Sequence, residues 1–105
     1  MAAPTLIDYA ESTWTDPSGT TETTDDLNWD SAGDVVVVLG ATEDNGLAMA
    51  TPTGTGLTLG ALSGLPTNTG SSCKVYGWSA TAVGDGNTAL TSPNGASVAH
   101  GIAAW

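Results

Sequence analysis

The residues able to do acid–base, nucleophilic or metal chemistry are few, and they are unevenly placed. The 105-residue chain has one basic side chain, Lys74, one histidine, His100, one cysteine, Cys73, and eleven acids. With no arginine it lacks a bidentate clamp for phosphate or carboxylate. A single imidazole leaves little scope for histidine acid–base catalysis or for a multi-histidine metal site. Asp26-x-Asn28-x-Asp30 matches the opening of an EF-hand calcium loop, in which alternate side-chain oxygens turn towards the ion. The match then fails: the sixth position is Ser31 and not Gly, the twelfth is Val37 and not Glu, and no helices flank the loop. A less regular Ca²⁺ site could still draw on Asp25, Asp26, Asp30 or Asp34. The competing reading is a solvated acidic loop ahead of a strand.

Catalytic arrangements fare no better. A Ser–His–Asp triad needs its histidine at the centre, and His100 lies in an alternating apolar stretch with no Gly-x-Ser-x-Gly elbow anywhere in the chain. Cys73 and His100 make a dyad only if their strands are neighbours. Glu11 and Asp34 as a glycosidase pair would need a cleft rich in aromatic and basic side chains, which this composition does not supply. The chain therefore reads as a non-enzyme. Tyr76 and Trp78 occupy alternate positions of one strand and so share a face. Facing out, they would form a stacking platform for a sugar ring; facing in, they are core. Trp14, Trp29 and Trp105 read as packing residues.

The elements that must position these groups are all of strand type. Apolar runs of strand length recur between Gly/Pro/Asn/Asp turns at sandwich-like spacing. Thr5–Tyr9 reads as a first strand, with an extension to Trp14 left open, Asp16-Pro17-Ser18-Gly19 as a turn and Thr20–Thr24 as a polar edge strand, and Leu27–Trp29 leads into the Asp30–Gly33 turn. Asp34–Leu39, with four consecutive valines, disfavours helix through restricted χ1 freedom, and its unbroken apolarity predicts burial on both faces. Glu43–Gly46 and Thr51–Gly54 read as turns around a short Leu47–Ala50 strand. Residues 57–61 alternate, residues 63–72 form a long loop, and Cys73–Ala82 alternates again. Gly84–Asn87 and Ser92–Gly95 turn around Thr88–Thr91. Ala96–Trp105 is the last strand, with Val98, His100, Ile102 and Ala104 on one side. Because this strand runs up to Trp105, the reading expects either further sequence or a pairing partner for it. No segment combines helical periodicity with caps. The expected fold is all-β: one domain over residues 1–105, a single antiparallel β-sandwich of about seven or eight strands, jelly-roll-like or immunoglobulin-like.

Charge narrows the partners. The net charge is −10, which excludes a phosphate-binding face and so nucleic acid, and it disfavours anionic membrane surfaces. No apolar run has the length of a membrane-spanning helix. The first residues carry neither a basic n-region nor an apolar h-region, so no secretion signal is expected. A lone cysteine excludes an internal disulfide. Ten of the acids precede residue 45. The second half, nearly neutral and rich in Gly, Thr, Ala and Ser, is the expected docking side.

Three stretches carry a resemblance. Trp29-Asp30-Ser31-Ala32-Gly33-Asp34 leads into the valine strand up to Asp44. Thr51-Pro52-Thr53-Gly54-Thr55-Gly56-Leu57 follows, and then Cys73-Lys74-Val75-Tyr76-Gly77-Trp78-Ser79-Ala80-Thr81-Ala82. Together they resemble small β-sandwich virion proteins of tailed bacteriophages, over about residues 29–105. The resemblance implies a capsid decoration protein, a head fibre or a tail-fibre module, with no catalytic residues to carry over. It implies a decoration or cement protein on the particle surface, made in the host cytoplasm, partnered by the major capsid protein or other virion proteins and self-associating, with a trimer favoured. No cofactor is expected beyond the Ca²⁺ reading above. The alternative is a glycan- or receptor-binding module of a fibre or adhesin, resting on Tyr76 and Trp78; a hydrolase built on His100 is the third.

Overall fold

In the computed structural model, residues 5–12, 21–43, 49–65, 67–68, 73–93 and 100–105 are described. They form eight strands and no helix: β1 (Ala10–Glu11), β2 (Thr21–Trp29), β3 (Val35–Thr42), β4 (Gly60–Ala61), β5 (Thr67–Asn68), β6 (Lys74–Thr81), β7 (Gly86–Pro93) and β8 (His100–Ala104). One sheet runs β1-β8-β3-β6-β4, with β5 also paired to β6; the second is the β2-β7 pair. Every pairing is antiparallel. The β2-β7 pair lies against β1 and β8, so the molecule is a two-sheet antiparallel sandwich.

The core is the set of inward alternate residues. Leu27, Trp29 and Leu90 of the small sheet form one buried cluster with Val36, Val38, Tyr76, Trp78, Ile102 and Ala104 of the large one. Gly86 sits opposite Trp29 in the β2-β7 ladder. A Cβ there would collide with the Trp29 indole, so the missing side chain gives that ring its place. Gly33 has φ of +96° in the turn before β3. The Asp34 carboxylate secures this turn, accepting from the Asp30 N–H at 3.0 Å and the Ser31 N–H at 2.9 Å.

β2 continues the expected polar edge strand through Leu27–Trp29, across an irregularity between Thr23 and Asp26. There the Leu90 N–H, buried and facing the break, donates instead to Thr24 Oγ1 at 2.9 Å. Residues 5–9 are irregular, and the strand there is the short β1, Ala10–Glu11. Residues 49–50 and 57–59 are not strand either, although Leu57 and Leu59 still pack against the core. The expected turns at 16–19 and 44–46, Trp14, and residues 96–99 of the last strand lie outside the described residues.

One expectation is overturned. β3 is central in its sheet, between β8 and β6, but it is covered on one side only: Val36 and Val38 are buried while Val35 is 60% and Leu39 36% exposed. An unbroken apolar run therefore marks both faces as apolar, not both as covered. The last strand, in turn, finds its partners within the chain, on both edges, in β1 and β3. Its ladder with β3 ends where Val37 and Trp105 exchange N–H···O bonds of 2.8 and 3.0 Å.

Candidate docking surface

Tyr76 and Trp78 are 6% and 3% exposed and belong to the core. Their rings stack, with centroids 5.8 Å apart and planes 5° from parallel, but they stack on each other inside the sandwich. They cannot be the sugar platform. Alternation places them correctly on one face; which face is inward is decided by the second sheet. Lys74, two residues earlier on that side, carries its ammonium 5.7 Å from the Tyr76 ring centroid.

The calcium reading is also corrected. Asp26, Asn28 and the approach to Asp30 lie on a strand, where the chain is extended; roughly 13 Å separates Asp26 from Asp30 at strand rise. A loop that wraps an ion cannot be made there. Asn28 is already committed, its Oδ1 accepting from Asn87 Nδ2 at 2.7 Å and its own N–H and Nδ2 donating to Asp8 Oδ2 at 2.8 and 2.7 Å. Asp34 is held by its turn. Among the described residues no three His, Cys, Asp or Glu side chains are grouped for a metal.

The Cys73–His100 dyad fails on topology. β6 and β8 pair with opposite edges of β3, and Thr42 stands between Lys74 and His100 in the ladder. Two strand spacings, about 10 Å, separate the two lines. Glu11, the other half of the imagined carboxylate pair, lies on β1 and accepts from the Tyr9 hydroxyl at 2.5 Å. That carboxylate raises the Tyr9 pKa above the usual phenol value by stabilising the protonated hydroxyl.

The large sheet's outer side is where the surface becomes unusual. The β3 ladders put Val35, Val37, Leu39 and Ala41 outward, level with Trp105 and Ala103 on β8 and with Gly77 and Val75 on β6. Leu62 and Leu65 lie over Gly77, filling the space a side chain would take. Beyond Trp105 stands Tyr9, 50% exposed, its ring 6.1 Å from the Trp105 indole and tilted 42° to it; Trp105 is 38% exposed. No charged residue occupies the outward positions of β3 or β8. Asp25, Asp26 and Asp30, by contrast, are exposed on and beside β2 in the other sheet. Charge does not follow the sequence halves, because β3 of the acidic half sits between β6 and β8 of the neutral half; Glu11 of β1, level with Ala103, stands at the edge of the large sheet's outer side.

Trp29 packs in the core as expected, but Trp105, expected to pack as well, is exposed and forms an aromatic pair with Tyr9. The signal was present for Trp105, which alternates with Gly101 and Ala103 and opposes Ile102 and Ala104. At one end of this face a groove of about 550 Å³ opens between the 5–8 segment and residues 33–37, with Leu27 and Trp29 beneath and Trp105 at its head.

Comparisons with protein-family models, with curated proteins and with solved structures give no match for this chain.

Proposed function

We propose that this chain is a non-enzymatic structural protein of a phage virion, a capsid decoration or cement protein, which docks through the outer face of its large sheet. The observation carrying the reading is the uncovered apolar side of β3, with Val35 and Leu39 in water next to Tyr9 and Trp105. Contiguous apolar surface of this kind marks contact sites more often than idle surface. Acids on the opposite sheet suit a domain held by one face with the other in solvent, where its charge maintains solubility. The trimer and the major capsid protein as partner belong to the same proposal, and many weak contacts on a symmetric shell would add through avidity.

The test is co-sedimentation with the particles found in lysates of the strain that encodes the chain, alongside light scattering of the protein alone. Binding that Leu39→Lys abolishes supports the reading. A monomer that never sediments with particles overturns it. The exposed Tyr9–Trp105 pair favours one second reading, a glycan- or receptor-binding module. Hits on a glycan array that disappear in Trp105→Ala would select it.

A further inference from the structure

The outer face of the large sheet is stepped, and we infer that it pairs with the same face of a second copy of this chain, about a two-fold axis running along β3. The inference uses the face of the docking role proposed above and stands whether or not that role does.

The step is built by three strands. On the β6 side the face is raised: Leu62 and Leu65 lie over Gly77, where a Cβ would meet both of them and Leu39. On the β8 side it is lowered: the outward residues are Gly101 and Ala103, and a trough of about 280 Å³ opens over them against Leu39 and Ala41. Ridge and trough lie at one level. Leu39 is opposite Gly77 in the β3-β6 ladder and opposite Ala103 in the β3-β8 ladder, so Gly77, Leu39 and Ala103 form a single rank. Neighbouring strands are about 4.8 Å apart, which sets ridge and trough at equal distances on either side of Leu39.

That symmetry selects the occupant. A two-fold interface brings one patch against itself, so that residue i meets j and j meets i. Half a turn about β3, in the plane of contact, sets the β8 of one copy across from the β6 of the other. The Leu62–Leu65 ridge of each then enters the Gly101–Ala103 trough of the other, and the two Leu39 side chains meet at the axis. Charge favours the same pairing. At −10 the chain repels its own copies, except through a surface without charge, and the outward positions of β3, β6 and β8 hold none. Glu11, at the rim of the trough, falls across from Gly60 and Ala61 of the second copy and not across from its own counterpart. Five strands across and β3 along give a contact of about 500 Å² per copy. A pair would bury about 1,000 Å², the lower limit for specific association. The pair is therefore reversible. It is the state of the free protein, in which one copy can be exchanged for a particle; the trimer proposed above belongs to the particle.

The experiment is analytical ultracentrifugation of the full chain from micromolar to millimolar concentration, with Tm measured beside each variant. The mass should rise with concentration to twice that of one chain and no further. Ala103→Leu, which fills the trough, and Leu65→Ala, which lowers the ridge, should each weaken the pair about tenfold or more. Combining them moves the large side chain from ridge to trough and should bring association back to near its original strength. If Leu65→Ala lowers Tm, Leu39→Lys at its exposed position reads the same contact: two ammonium groups meet on the axis, and the pair should dissociate. A chain that stays monomeric at millimolar concentration overturns the inference, as does a trimer in free solution. So does a dimer that Ala103→Leu leaves unchanged, or a double variant no tighter than the single ones. A dimer that never sediments with particles removes the docking role alone, and a monomer that does sediment removes this inference alone.

Discussion

At the scale of single residues, side chains in this molecule mostly repair breaks in backbone pairing. Thr24 is the clearest case: its hydroxyl accepts from Leu90 N–H and donates to Asp25 C=O at 2.7 Å, bridging the irregularity in β2. Thr24→Val keeps shape and removes the acceptor, leaving a buried donor unpaired. Urea unfolding should show a loss of about 1–3 kcal/mol, and an unchanged midpoint would show that water or backbone takes over. Thr88 does the same for the loop ahead of β4, accepting from Thr55 N–H at 3.0 Å. Asp8 ties the irregular 5–9 segment to β2. The Asn28 side chain and backbone, donating to its carboxylate, hold its pKa below the ordinary 3.8. A depressed carboxylate contributes stability above its unfolded pKa and loses it as pH falls through the folded value. The Asn28 side-chain amide resonance should therefore stay constant on acidification until below pH 3.8 and only then move, by NMR titration. A midpoint at or above 3.8 would dissolve this anchor.

At the scale of elements, period-2 alternation fixes the faces and pairing fixes the fate of each strand. The Cys73–Ala82 alternation is borne out, with Tyr76, Trp78 and Ala80 inward. The valine strand is found as β3, with its central place. What its sequence could not show was whether the second sheet would cover one face or whether something would cover both. Among the described residues the small sheet has two strands, and they lie against one side of the large one. Residues 5–9 read as strand and are not, because a strand exists only if a neighbour completes its ladder. Tight contact between sheets has a direct test. Gly86→Ala places a methyl where the Trp29 indole lies, and overpacking of this kind costs about 1–3 kcal/mol. A displaced Trp29 should show as altered tryptophan fluorescence with a lowered Tm; unchanged values would mean that the two strands part without cost.

At the scale of the whole molecule, the sandwich sorts its surface. Acids gather about β2, and the outer side of β3 and β8 is apolar and uncharged. Val35→Thr combined with Leu39→Lys should leave Tm within a few degrees, because both positions are exposed in the isolated domain. The same pair should abolish any self-association or particle binding, read by light scattering and sedimentation. Retained assembly in that variant would move the contact to another face. The candidate site was legible only in part. Composition set an expectation against nucleic acid and most catalysis, because the chain holds one basic side chain and one histidine. The expected stacking pair and calcium loop were local patterns whose meaning depended on what lay opposite. Tyr76 and Trp78 met the second sheet and became core; Asp26, Asn28 and Asp30 were drawn out along a strand. By itself the sequence determined the all-β class, the strand faces and the acidity, because these follow from side-chain type and period-2 geometry. Only the tertiary structure decided that Val35 and Leu39 of β3 face outward into solvent and that Tyr9 meets Trp105. Those facts depend on strand order and on the extent of a second sheet, which are long-range pairings that no local run of residues encodes.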